Sequence, residues 1–336
     1  MALDQAKPLV QVKDLTVKFV SRETTTQAVN GVTFDLMPGE VLCIIGESGS
    51  GKSVTMRALM RLLPPQHSVL SGHVRVGEHH ILAMNDRQLR DIRGSLISMI
   101  FQEPMTALDP VYTIGHQIAE TVMRHEGCSK RAGLQRALEL LQLVKVPSPE
   151  RRLKAYPHEL SGGLRQRAMI AVALACRPSL LLADEPTTAL DATVQIQVLV
   201  LLRKLQQKLG MGMIFVTHDM GVAAQIADKV AVMYAGRIVE CGNVADVLMH
   251  PSHPYTLAML SSTVHGQPRG RDIEAIRGSP PDLRRPIVGC SFAPRCKFAI
   301  TSCTQSLPEP VAVNGDKYAC CTRIGHLTEM PEIAIA

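Results

Sequence analysis

The sequence predicts an α/β fold in which buried parallel strands deliver phosphate-binding and acidic loops. Three observations point to it. The apolar stretch Glu40-Val41-Leu42-Cys43-Ile44-Ile45 runs into Gly46-Glu47-Ser48-Gly49-Ser50-Gly51-Lys52-Ser53, and Val54 to Leu63 follows with helical spacing. A second apolar run, Leu180-Leu181-Leu182-Ala183, reads as a strand buried on both faces and ends in Asp184 and Glu185. A third, Met213-Ile214-Phe215-Val216-Thr217, leads into His218.

The remaining elements follow in order. Val10 to Gly39 alternates as short strands, and Ser71 to Ile81, with Gly72 and Gly77, reads as a hairpin. Thr113 to Glu126 and Gly133 to Val144 carry helical periodicity, the second with Leu134, Leu138, Leu141 and Val144 on one stripe. Ser161, Gly162 and Gly163 open another helix, Leu164 to Cys176, whose first N–H groups are available to an anion. Core strands resume at Leu180, Met213 and Val230, and Asp246 to Leu260 reads as helical around His250-Pro251-Ser252-His253-Pro254-Tyr255. After Ser261 glycine and proline become frequent, periodicity fades and cysteines crowd in. A boundary near 262 therefore separates a domain over 1–262 from an extension over 263–336.

Composition sets limits. A chain of 336 residues with 46% hydrophobic content supports one large core plus an extension. With 3% aromatics and no Trp, aliphatic side chains and Met fill that core. The formal charge of +6 is spread along the chain, so it does not demand nucleic acid, though it suits an anionic membrane surface. Met1 to Pro8 has no apolar segment of a signal peptide, and the longest apolar run, near Met169 to Cys176, is too short to span a bilayer. Nine cysteines in a chain of this kind argue against a disulfide framework.

The motifs carry definite chemistry. Glycines in Gly46-Glu47-Ser48-Gly49-Ser50-Gly51-Lys52-Ser53 let the backbone curl and aim its N–H groups at phosphates, and the next helix adds its positive end. Lys52 supplies a cation for the outer phosphates and Ser53 a ligand for Mg²⁺. Asp184, at a strand end, is placed to hold Mg²⁺ directly or through water. A buried acid pair is tolerable there because a metal ion offsets its desolvation.

Taken with Leu160-Ser161-Gly162-Gly163-Leu164-Arg165-Gln166-Arg167 between them, these motifs resemble the ATP-binding subunit of an ABC transporter. The resemblance implies an ABC-type P-loop ATPase: a RecA-like core, an antiparallel β subdomain and a helical subdomain at about 105–165, plus a small irregular Cys-rich C-terminal extension. It implies Glu185 as the carboxylate that polarises the attacking water, Gln102 as a reach to Mg²⁺ and that water, and His218 as a γ-phosphate contact. Asp191, in Ala189-Leu190-Asp191, matches a loop that crosses a dimer interface, and Ser161, Gly162 and Gly163 match the cap on the partner's ATP. Leu164 stands where many family members carry Gln, a small departure, since the serine hydroxyl and glycine backbone carry the contact. Phe19 is the candidate to stack on adenine, although an aromatic in an alternating strand serves a core equally well.

A closer resemblance is to the dipeptide and oligopeptide importer branch, carried by Phe101 to Pro110, Tyr156 to Leu160, Ala175 to Pro178, His253 to Thr256, Gly289-Cys290 and Ala293 to Cys296. Ala183 to Asp191 favours its "D"-type ATPase. The branch implies two transmembrane permease subunits, a sister ATPase in a heterodimer, an extracytoplasmic solute-binding protein reached through the complex, and the cytoplasmic face of a bacterial inner membrane. It implies ATP and Mg²⁺, no nucleic acid, and a peptide or related solute such as nickel or glutathione. A soluble ABC ATPase acting on nucleic acid or ribosomes is the alternative, against which stand one phosphate loop and no heptad stretch. Cys290, Cys296, Cys303 and Cys320, with five, six and sixteen residues between them, suit a [4Fe–4S] cluster, as in some ATPases of the branch. Cys321 competes for the fourth position, zinc competes for the site, and packed reduced thiols are the plain alternative.

Overall fold

A computed structural model describes residues 7–188, 190–262 and 275–326. In chain order the strands are β1 (Val10–Val20), β2 (Thr25–Leu36), β3 (Val41–Ile45), β4 (Ser68–Val76), β5 (His79–His80), β6 (Ile97–Ile100), β7 (Leu180–Asp184), β8 (Gly212–Thr217), β9 (Lys229–Tyr234), β10 (Arg237–Asn243), β11 (Val311–Asn314) and β12 (Lys317–Ala319). The helices are α1 (Lys52–Leu59), α2 (Asp86–Ile92), α3 (Pro104–Ala107), α4 (Ile114–Glu126), α5 (Lys130–Leu143), α6 (Pro149–Arg152), α7 (Gly162–Ala173), α8 (Ala192–Leu209), α9 (Met220–Ile226), α10 (Val244–Met249), α11 (Pro254–Ser261) and α12 (Thr301–Gln305). Among the described residues no helix is long and apolar enough to cross a membrane.

The chain divides into two compact units. Among the described residues, one contains 7–9, 36–40 and those of 83–215; the other contains 10–35, 41–82 and those from 216 to 326. β8 spans the point where the chain passes from the first to the second.

In the first unit β6 and β7 pair in parallel, Ile97 opposite Leu180 and Ile100 opposite Ala183. Leu180 to Ala183 have no solvent exposure, so β7 is an uninterrupted apolar run rather than an alternating one. α4 and α5 form a helical pair. Thr113 caps α4 by accepting from the His116 N–H, and Ser129 caps α5 by accepting from the Ala132 N–H. The buried face of α5 is Gly133, Ala137, Leu140 and Leu141, continued by Val144; Leu134, expected inward, is exposed. Close approach explains the rotation. A Cβ on Gly133 would sit 3.0 Å from Met123 Cγ and 3.1 Å from the Ala119 carbonyl, so α4 packs on the small-residue face.

In the second unit one antiparallel sheet has the order β2-β1-β4-β5, with Val10 opposite Val76. The expected hairpin is β4 and β5. A second set of strands runs β11-β12-β10-β9-β3, parallel only between β3 and β9. β3 is buried throughout, and Val230 to Met233 of β9 have no exposure. The segment 246–260 is two helices rather than one, because Pro251 and Pro254 interrupt the ladder and His253 caps α11, its Nδ1 accepting from the Tyr255 N–H at 3.1 Å. The extension joins this unit through β12, which pairs antiparallel with β10, Glu240 opposite Ala319. Beneath that pairing the carboxylate of Glu240 accepts from Lys317 Nζ at 3.2 Å and from the N–H groups of Ser252 and His253 at 2.7 and 2.9 Å.

Candidate functional site

Phe19, Gly46 to Ser53, His218 and the C-terminal cysteines lie in the second unit; Gln102, Ser161 to Gly163, Asp184, Glu185 and Asp191 lie in the first. In the second unit, buried β3 ends where the glycine-rich loop begins. Gly51 has φ 105°, a left-handed conformation that strains any residue with a side chain, and a Cβ there would meet the Ala28 carbonyl at 2.5 Å. The loop wraps the ammonium of Lys52, whose Nζ donates to the carbonyls of Gly46 at 2.7 Å and Glu47 at 2.9 Å. The hydroxyl of Ser50 is buried with no hydrogen-bond partner among the described residues, a costly state that a phosphate oxygen would relieve. Ser53 follows in the first turn of α1, half-buried. Phe19 is half-buried on β1, and His218 is exposed directly after β8. These features fit an anion of several phosphates with a divalent cation.

In the first unit β7 delivers Asp184, 1% exposed, at its C-terminal end. The next residue, Glu185, has φ 44°, a conformation that costs a residue with a side chain roughly 1–2 kcal/mol and is kept where the surroundings fix it. Its Oε2 accepts from Thr188 Oγ1 at 2.9 Å and lies 3.4 Å from Gln102 Nε2. Gln102 and Glu185 are thus brought together, 83 residues apart in sequence. Ser161 is the exposed N-cap of α7, and its hydroxyl makes no capping hydrogen bond, so the helix start carrying Gly162 and Gly163 is not an ordinary serine cap. Asp191 caps α8, accepting from the Val194 N–H at 3.0 Å; Ala189, in the same loop, lies outside the described residues.

The C-terminal thiols are largely gathered. Cys290, Cys296, Cys303 and Cys321 line one small cavity with His253, Phe292 and Pro308. Backbone N–H groups of Phe298 and Arg323 donate to the sulfurs of Cys296 and Cys321, each at 3.3 Å. Cys320 lines a neighbouring cavity with Cys290, and its thiol donates to the Ile238 carbonyl at 3.5 Å, so the fourth thiol on the shared cavity is Cys321 and not Cys320. Burial pushes the thiol pKa of Cys296 and of Cys320 up to about 11. Four thiols on one cavity meet the donor requirement of an iron–sulfur cluster. Among the described residues, however, no group of three or more His, Cys, Asp or Glu side chains is arranged as a formed metal site.

Comparison with known proteins decides the family. Residues 29–188 match the ABC transporter family, and residues 239–303 match the family described as "Oligopeptide/dipeptide transporter, C-terminal region". A probable peptide ABC transporter ATP-binding protein of Sinorhizobium fredii is 48% identical over 97% of this chain and 98% of its own length. The chain belongs to the ABC transporter ATP-binding family. Other members at this level are the dipeptide transport ATP-binding protein DppD of Bacillus subtilis, 47% identical over 89% of this chain and 90% of its own length, and an oligopeptide transport ATP-binding protein, OppD, of Salmonella typhimurium, 45% identical over 94% of each chain. Among solved structures, an ATP-binding cassette captured as a dimer in a post-hydrolysis state with ADP and Pi superposes with a TM-score of 0.63 at 30% identity, covering 70% of this chain and 98% of its own. As an ABC cassette the chain is an α/β P-loop ATPase.

Within this ABC cassette some site residues carry no motif of their own. Thr188 holds Glu185, yet nothing in Pro186-Thr187-Thr188 marks which hydroxyl turns toward the acid. Tyr255 accepts from the Glu47 N–H at 2.8 Å across 208 residues of sequence. Arg295 forms a two-pronged ion pair with Glu47, at 2.8 and 3.1 Å, across 248. Such long-range partners leave no periodic or local trace.

Proposed function

We propose that this chain is the ATP-hydrolysing subunit that powers import of dipeptides, oligopeptides or related small solutes through a membrane ABC transporter. The observation that carries this reading is the pair of family matches on one chain: the cassette at 29–188 and the oligopeptide/dipeptide C-terminal region at 239–303. Relatives named for peptide and dipeptide transport support the solute class. Two permease subunits, a sister ATPase and an extracytoplasmic solute-binding protein complete the machine, with this subunit on the cytoplasmic face of the membrane. The same reading assigns 1–262 to the nucleotide-binding domain, with a helical subdomain at about 105–165, and 263–336 to the extension.

The residues act as follows in this proposal. The curled backbone at Gly46, Ser48, Gly49, Ser50 and Gly51 cradles the phosphates, Lys52 takes the outer ones, and Phe19 stacks on adenine. Ser53, Gln102 and Asp184 would hold Mg²⁺, which would supply positive charge against that developing on the phosphates. Glu185 orients and polarises the attacking water, and Gln102 fixes that carboxylate. His218 contacts the γ-phosphate. Ser161, Gly162 and Gly163 offer a helix start to the sister subunit's ATP, and Asp191 lies on the loop between subunits. Cys290, Cys296, Cys303 and Cys321 hold a [4Fe–4S] cluster with a bracing role, supported by their common cavity and by the N–H donors on two of the sulfurs.

The test is reconstitution. The chain, expressed with its neighbouring genes, should copurify with two multi-span proteins. Vesicles holding that complex should accumulate a labelled dipeptide only with ATP inside the compartment this subunit faces. Purification of the chain with ribosomes or nucleic acid, and no membrane protein, would favour the soluble alternative.

A further inference from the structure

The second residue of the phosphate loop is an acid. Glu47 lies between Gly46 and Ser48, where its carboxylate adds negative charge to a loop that must receive phosphates. That carboxylate does not stand alone. Arg295 Nη1 and Nη2 donate to its two oxygens at 2.8 and 3.1 Å, the forked arrangement that arginine alone provides. The Arg295 side chain is 6% exposed, and its remaining donors are committed: Nε to the Arg277 carbonyl at 2.9 Å and Nη1 also to the Tyr234 hydroxyl at 3.2 Å.

Arg295 comes from the cysteine-rich extension. It sits on a tight turn in which the Ala293 N–H donates to the Cys290 carbonyl, Arg295 N–H to Phe292, and Cys296 N–H to Ala293. Phe292 of the same turn, 2% exposed, packs against the rings of Tyr234 and Tyr255, each at 5.4 Å between centroids. The Tyr255 hydroxyl accepts the Glu47 N–H. The turn therefore reaches Glu47 twice, at its carboxylate directly and at its backbone through Tyr255, while the Glu47 carbonyl accepts from Lys52.

We propose that Arg295 is a positioning residue of the ATP site: it neutralises Glu47 and fixes it, so that the C-terminal extension contributes directly to nucleotide affinity. The inference rests on reading Gly46 to Ser53 as the ATP-binding loop and needs neither the peptide assignment nor a cluster. Without the guanidinium, the unpaired Glu47 carboxylate repels the triphosphate and the loop loses a restraint.

The experiment uses the assembled transporter with the sister subunit's phosphate-loop lysine disabled, so that only this site responds. ATP affinity and the split between KM and kcat are measured for Arg295→Gln, Arg295→Lys, Glu47→Gln and the double variant Arg295→Gln/Glu47→Gln. Arg295→Gln should weaken ATP binding about tenfold, with KM rising more than kcat falls. Arg295→Lys should fall between, since it keeps the charge and loses the fork. Removing the stranded charge in the double variant should bring affinity back to within about threefold of the unaltered protein, a rescue that a merely structural role does not give. If Arg295→Gln does not fold, Arg295→Lys with and without Glu47→Gln carries the same comparison. Arginine variants that bind ATP as the unaltered protein does, or a double variant as weak as the arginine variant alone, would overturn the inference. An unaltered transporter that binds no ATP would overturn the loop reading first and this inference with it.

Discussion

Glu240 on β10 and Lys317 on β12 form an ion pair of 3.2 Å with both side chains buried, at 0 and 3% exposure. Lys317 also donates to the Asp246 carbonyl at 3.0 Å and to that of His250, so one ammonium ties the extension to α10 and the residue that ends it. Burial pushes the Glu240 carboxyl upward from its ordinary range, opposed by the lysine and by the hydrogen bonds it accepts. Breaking this pair from one side strands a charge. Lys317→Met should therefore cost about 3–5 kcal/mol of stability, and Lys317→Met with Glu240→Gln should recover much of it. A urea-unfolding double-mutant cycle measures this; additive losses would show that the two charges are not coupled.

The α4–α5 packing gives a contrast between neighbouring positions. Gly133→Leu forces a side chain into the Ala119–Met123 surface and should destabilise by about 1–3 kcal/mol. Leu134→Ala removes an exposed side chain and should change stability by about 0.5 kcal/mol or less. Thermal unfolding of the two variants decides between this register and one with Leu134 inward.

His253 carries a pH dependence. Burial lowers its pKa from the ordinary value near 6.5 to about 3. Between those values the unfolded chain takes up a proton that the folded chain refuses. Stability from this residue is thus complete above about pH 6.5 and is lost as pH falls toward 3. His253→Asn keeps an N-cap acceptor for α11 and removes the titration, so its fall in melting temperature between pH 7 and pH 5 should be about half or less that of the unaltered chain. An equal fall in both would assign the acid sensitivity elsewhere.

Much of this architecture is legible in the sequence because it is local. The run from Val41 into Gly46 and Lys52 declares strand, loop and helix within twenty residues, and Leu180 to Asp184 declares a buried strand by composition alone. Leu134 misleads because apolar spacing predicts a face without saying how closely the neighbouring helix approaches; Gly133 decides that, and glycine carries no hydropathy signal. Cys320 and Cys321 are indistinguishable as letters; only the folded chain just past β12 shows the Cys320 thiol on the Ile238 carbonyl and Cys321 on the shared cavity. Arg295 and Glu47 are invisible as partners until the chain has folded.

The cysteine cavity predicts a composition. Anaerobic purification should give a brown protein with iron and acid-labile sulfide at about four each per chain, and Cys321→Ser should lose the colour while Cys320→Ser keeps it. A colourless, folded, iron-free preparation would leave the thiols as packed side chains, and stoichiometric zinc would assign the site to that metal.

ATP turnover by Glu185→Gln in the assembled transporter, with the sister site disabled, tests the central claim most directly. Gln102 and Thr188 already orient this carboxylate, so its amide should leave ATP binding intact, hold the complex closed and slow turnover by about a hundredfold or more. Turnover within about twofold of the unaltered protein, in that background, would contradict the assignment of hydrolysis to this site.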